Sequence, residues 1–392
     1  SLDQKDISFV NYLTSVCIRN RGIIEAILNK YIKKKLPISG ISAKAGIILG
    51  VAQILFSKVP PHAAVNSTVN LYVGDLQKWR KLANAVLRKI LREEVYLKKI
   101  KEDLSLTVPS WLYKDWLQQF GKKNTIKILK IYQQEPSLDI IVKNKIDLWE
   151  KKLNGVRLGK STIRIKHKGK IENLEGYKKG HWWVQDIAAQ IPVLLMGNIK
   201  NRNILDLCAA PGGKTAQMLN AGAIVTALDI SKERVLQLSN NIKRIGLSKN
   251  LKLKVKDIMQ YNPNSKADIV LLDAPCSGTG TFRKNPDVVW VKNKKNVILN
   301  ASKQKKLLVK ALSFLKKNGF LIYSNCSLQY EEGENLIKDL CEKKIIYIDK
   351  ILRTELIDYP EEIFNKGLIR TLPYMYNGGM DGFFIARIKK VR

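Results

Sequence analysis

Two cysteines in this sequence stand where a thiol has chemistry to do. Cys276 lies in Asp273-Ala274-Pro275-Cys276-Ser277-Gly278-Thr279-Gly280, and Cys326 in Ser324-Asn325-Cys326-Ser327. Both segments are polar and follow apolar, strand-like runs, a setting in which an exposed thiol is normally avoided. A thiolate there could add to carbon 6 of a cytosine, making carbon 5 enamine-like and able to take a methyl group from a sulfonium. An acid near ring N3 would assist the addition, and a base must then remove the carbon-5 proton. The other thiols, Cys17, Cys208 and Cys341, fit small buried hydrophobes better. Five scattered cysteines without a CxxC pair imply neither a disulfide framework nor a metal site, and suit the reduced thiols of a cytoplasmic protein.

A second constellation could bind a cofactor. An apolar run ends in Cys208-Ala209-Ala210-Pro211-Gly212-Gly213-Lys214-Thr215, and a helix-type stretch follows. Small residues and paired glycines let the backbone approach a ligand at the carboxyl end of a sheet. A phosphate-binding P-loop would need glycine where Cys208 stands, and the G-x-G-x-x-G dinucleotide fingerprint is absent. A nucleoside-type site remains. Asp229, about 20 residues on, closes the next strand where ribose-binding acids sit, and the following helix is expected to begin nearer Ser231, so Asp229 is not needed as its cap. Asp257 and Asp273 end two further strands on the same rim. Like charges gathered there suit the sulfonium and amine of S-adenosylmethionine, with Lys214 close enough to favour a thiolate.

The segments Leu205-Asp206-Leu207-Cys208-Ala209-Ala210-Pro211-Gly212-Gly213-Lys214-Thr215, Leu272-Asp273-Ala274-Pro275-Cys276-Ser277 and Tyr323-Ser324-Asn325-Cys326-Ser327 resemble the signature motifs of the Sun/Nop2 family of RNA cytosine-5 methyltransferases. The resemblance implies Cys326 as the nucleophile at carbon 6 and Cys276 as the residue of product release. It implies Asp273 as the base contact, and Asp229 and Asp257 as holders of the cofactor's ribose and adenine. Val59 to Asn66, with Ala83 to Arg88, is similar to the NusB-like RNA-binding domain of the RsmB branch. Val184 to Gln190, Arg283 to Asp287 and Gly379 to Phe384 match the same branch, which methylates a 16S rRNA cytosine. Asn325 departs from the pattern, standing where the family usually has Thr.

These residues need elements to position them. From about residue 176, continuous apolar runs at 203–208, 224–230, 251–255, 267–272 and 319–324 alternate with helix-type stretches at 214–220 and 232–245. That alternation predicts a parallel sheet covered on both faces, and a last strand is expected over 382–389. Residues 1 to about 105 carry helical periodicity, with Phe9, Leu13, Val16 and Cys17 on one face, an apolar helix over 45–56 and a basic one over 84–97. Between them a helix over 111–132 and strands at 138–142 and 161–166 read as a small α/β connector. The expected architecture is therefore α+β and multidomain. It has an all-α NusB-like domain over 1–105, a connector over 106–175, and a Rossmann-like α/β methyltransferase domain with a mostly parallel sheet over 176–392.

Charge agrees with an RNA partner. Lys and Arg number 69 against 34 acids, a formal net charge of +35, which suits work against a polyanion. The apolar run Gly46 to Phe56 is too short to span a bilayer, and no signal peptide stands at the start, where Ser replaces Met. A monomer acting on 16S rRNA or a small-subunit assembly intermediate is expected, with no membrane partner. A DNA cytosine-5 methyltransferase has no purpose for the second cysteine. An inactive NusB-like adaptor, or action on tRNA or another RNA, remains the alternative reading.

Overall fold

A computed structural model describes residues 3–34, 36–167 and 169–391. The chain folds as two compact units, one of residues 1–133 with 289–291, the other of the remainder. The division falls at Gln133/Gln134 rather than at 105. The helix Ser110–Tyr132 belongs to the first unit, and non-helical Gly121 (φ 73°) kinks it.

The first unit is helical. Ile41–Phe56 is a central helix whose Ala43, Ile47, Val51 and Ala52 are fully buried against Ile23, Ile24, Ile27, Leu87 and Ile90. With its leading turn, the stretch Ile38–Phe56 is long and apolar enough to cross a membrane. It is thus longer than the run expected from sequence, yet half of it lies inside this core. Leu13 and Val16 face inward as expected, whereas Phe9 is exposed. The basic stretch over 84–97 divides into two helices, Arg80–Arg92 and Glu94–Lys101.

The second unit holds two sheets. The smaller comprises β1 (Leu138–Val142), β2 (Val156–Arg157), β3 (Thr162–Ile165) and β4 (Trp182–Val184), in the order β2-β3-β1-β4 and antiparallel throughout. Because β4 lies beyond residue 175, the small sheet outruns the connector expected from sequence. In the larger sheet, β5 (Asn203–Leu207), β6 (Ile224–Asp229), β7 (Leu251–Val255), β8 (Ala267–Asp273) and β9 (Leu315–Asn325) are mutually parallel. Four more strands, β10 (Ile346–Ile348), β11 (Phe364–Asn365), β12 (Leu368–Arg370) and β13 (Phe384–Lys390), extend it beside β9 in antiparallel fashion. The order is β11-β12-β13-β9-β8-β5-β6-β7, with β10 on β13.

Alternate residues of the parallel strands feed two cores. Ile204, Ile269, Leu271 and Ile322 enter one; Leu205, Leu207, Val270, Leu272 and Leu321 enter the other. Such two-faced burial is why these strands read as unbroken apolar runs. Chain direction across the sheet reverses between β5 and β8, which places the ligand crevice of a doubly wound sheet at their carboxyl ends.

Candidate active site

The loop after β5 is shaped for close approach. Gly212 adopts φ +100°, and a Cβ there would lie 2.8 Å from Leu238 Cγ, so only glycine fits between loop and helix. The helix Gly213–Asn220 starts directly behind it. Asp229, buried at the end of β6, accepts hydrogen bonds from the Ala210 amide (3.3 Å) and the Ser231 amide (3.1 Å). The next helix, Lys232–Arg244, is capped by Ser231. Asp257 caps a short turn, accepting from Met259 N at 2.9 Å through Oδ1.

Across the crevice, Asp273 at the end of β8 accepts from Lys214 Nζ (2.7 Å) and from Ser324 Oγ (2.9 Å). Lys214 also lies over the Phe383 ring. Its charge is therefore matched by a carboxylate rather than left free to support a thiolate. The acids do not stand unopposed either, since Arg234 lies 3.4 Å from Asp229.

The two cysteine loops converge. Cys276 Sγ and Cys326 Sγ are 3.5 Å apart, both half-buried. The hydrogen bond to Cys326, then burial and the adjacent negative charge, push the Cys276 thiol well above its ordinary range. Cys276 therefore holds its proton, and one hydrogen bond links the two sulfurs. Cys17 and Cys208 are pushed up by burial to about 11 and about 12, as suits inert core thiols.

A buried polar network fixes the pair. Glu332 accepts from the Ser277 amide (2.9 Å) and Gln304 (3.1 Å), while its carbonyl accepts from Tyr323 OH and Asn325 Nδ2, each at 2.7 Å. Asn325 Oδ1 accepts from the Ser327 amide at 2.9 Å, so its carboxamide ties the Cys326 loop on two sides. The residue that departs from the family pattern is thus a built part of the loop. Gly280 N donates to Cys326 O at 2.8 Å, and a Cβ on Gly280 would meet Gly382 O at 2.0 Å. The segments 184–190, 283–287 and 379–384 also meet: Lys284 Nζ bridges Asp186 (2.5 Å) and Asp381 (2.9 Å).

Sequence reading missed Glu332 and Gln304, whose roles rest on contacts between distant elements and leave no mark in spacing, and it quoted Ser324 in a motif without giving it a role. It also passed over Asp206, which lay inside a quoted motif. Asp206 is buried on β5; Thr215 donates to its Oδ2 at 2.6 Å, while Oδ1 has no hydrogen-bond partner among the described residues. Burial raises its carboxyl to about 7, despite the opposing Thr215 hydrogen bond. The folded chain thus holds a proton that the unfolded chain, titrating near 4, has released. Stability of the unliganded protein should therefore fall as pH rises from about 4 to about 7. Asp206→Asn should flatten that part of the curve of melting temperature against pH; an unchanged slope would show that Asp206 does not control it.

A doubly wound sheet, a glycine loop at its switch point and paired thiols on the same rim define a class of group-transferring enzyme acting beside a bound nucleoside. Known proteins narrow it. The family profile described as 16S rRNA methyltransferase RsmB/F matches residues 193–389, and the NusB family matches residues 1–92. Ribosomal RNA small subunit methyltransferase B of Photorhabdus laumondii is 31% identical over 365 residues, covering 88% of this chain and 81% of its own. The protein of that name from Escherichia fergusonii is 29% identical over 407 residues, with coverages of 99% and 92%. Among solved structures, PH0851 superposes with a TM-score of 0.77 at 22% identity, covering 97% of this chain and 90% of its own. NSun6 from Pyrococcus horikoshii with SFG gives 0.61 at 23% identity, covering 72% and 98%. The chain belongs to the 16S rRNA methyltransferase RsmB/F family, RNA methyltransferases whose methyl donor is S-adenosylmethionine. The residues present fit that donor, because a buried Asp206 oxygen without a partner among the described residues lies close to Asp229 and Asp273, beside a loop of small residues, and offers acceptors to its amine and hydroxyls.

Proposed function

We propose that this enzyme methylates carbon 5 of a cytosine in 16S rRNA, through a covalent bond between Cys326 and carbon 6. The observation that carries this reading is the 3.5 Å approach of two thiols on the rim that also holds the cofactor loop. Cys208 to Lys214, Asp229 and Asp257 would hold S-adenosylmethionine, which supplies the methyl group when bound. Asp273, oriented by Lys214 and Ser324, would contact the base near N3.

The roles of the thiols follow from their contact. The Cys326 sulfur, its proton lost to solvent, attacks carbon 6. Once that sulfur is bonded to carbon 6 it carries no charge, so both the hydrogen bond and the repulsion that raised Cys276 are relieved. Cys276 then gives up its own proton to solvent and, once carbon 5 carries the methyl group, its thiolate takes the carbon-5 proton; that C–H electron pair re-forms the 5,6 double bond and expels Cys326 from carbon 6 as thiolate.

Incubation with tritium-labelled S-adenosylmethionine and small-subunit rRNA should place label in RNA that digests to 5-methylcytidine. Label in another nucleoside would overturn the carbon-5 assignment. No label from well-folded protein would favour the adaptor reading.

A further inference from the structure

Away from the catalytic rim, the small sheet carries a groove of about 660 Å³ between the segment after β1 and the loop before β4. Its size lies within the range of sites that enclose a nucleotide-sized ligand. Lys145, Lys178 and Lys179 line it, all exposed, and their side chains have no ion-pair or hydrogen-bond partner among the described residues. The fourth lysine, Lys152, is engaged by Glu175, which leaves Glu172 as the one lining acid outside that pair.

Charge is only half of the lining. His181, partly exposed, is the ring the groove offers; Trp149, 4.9 Å from it centroid to centroid and tilted by 33°, is buried and backs it from the core. Asn144 and Asn173 add carboxamides that can both donate and accept. Cations for a phosphate, a ring platform for a base and amides for its edge make the set by which proteins hold unstacked RNA. An acidic peptide would use the lysines and leave the imidazole ring and the amides idle.

We infer that this groove is a second RNA-binding site, taking an unpaired nucleotide of the same RNA strand whose cytosine reaches Cys326. The inference rests on the reading of the chain as an enzyme of RNA. Strand β4 links the two places: it leaves the groove at His181 and ends beside Gln185, whose Nε2 donates at 2.8 Å to Gln217 on the helix behind the cofactor loop. The groove therefore adds affinity and register for the substrate, and leaves the chemistry at the rim unchanged.

The test compares Lys178→Glu/Lys179→Glu with Lys249→Glu/Lys252→Glu, an exposed pair elsewhere in the same unit that alters net charge equally. Binding of a 16S rRNA transcript is measured across salt concentrations. The groove variant should lose roughly tenfold in affinity and about two units of salt slope, against about twofold for the control. Equal losses would reduce the groove to general surface charge and overturn the proposal. Independently, a 4-thiouridine-containing 12-mer irradiated with wild-type protein should cross-link to residues 144–149 or 172–181. Cross-links confined to other peptides also overturn it. Methyl transfer by wild type is scored separately. Groove binding without transfer sinks the catalytic reading alone, and transfer with an unaffected groove variant sinks the groove alone.

Discussion

Replacing Cys326 by Ala is expected to lower methyl transfer to rRNA on the order of 10⁴-fold or more, with RNA and cofactor affinities unchanged within about twofold. The size of the effect follows from what is removed. Carbon 5 of an intact cytosine is too weak a nucleophile, and no other described thiol shares the Cys276 site. The side chain itself does little for the fold, since the loop is held through the Cys326 carbonyl and through Asn325, both untouched by the change. Transfer is read as acid-precipitable label, and affinity by filter binding and calorimetry. Turnover retained near the wild-type level would remove Cys326 as nucleophile.

Cys276→Ala should produce the opposite kind of defect. Attack remains available, but the group placed to take the carbon-5 proton is gone, so enzyme and RNA should accumulate as a covalent adduct. On a denaturing gel a slow band is expected, dependent on S-adenosylmethionine and approaching one RNA per protein. The double variant lacking both thiols should show no band, which ties the bond to Cys326. The absence of a band in Cys276→Ala with active Cys326 would mean that Cys276 does not serve release.

Both experiments rest on residues that could be chosen before any coordinates, and the reason is local. Motif loops at strand ends are contiguous in sequence, and parallel strands buried on two faces announce themselves as apolar runs, so 203–208 and 267–272 lie within a residue of β5 and β8. The antiparallel extension was less legible. β10, β11 and β12 are two or three residues long and acquire strand character only by pairing with neighbours. The domain boundary was misjudged for a similar reason: nothing local in Ser110–Tyr132 says which core Trp116 and Ile128 will enter. Glu332 was invisible because a buried acid satisfied by Ser277 and Gln304 looks, in sequence, like any surface glutamate near a helix start.

The placement of β13 has a consequence for the order of events during synthesis. Phe384 pairs with Asn325, and Gly382 donates to the Gly280 carbonyl, so segments that flank both thiols lean on residues translated well after them. Domains emerge from the ribosome amino end first, yet this rim cannot close until residues 379–390 have cleared the exit tunnel. Until those residues are free, the chain lacks the β13 wall beside Cys326. Closure of this rim is thus a late event of synthesis, whatever order the earlier elements fold in.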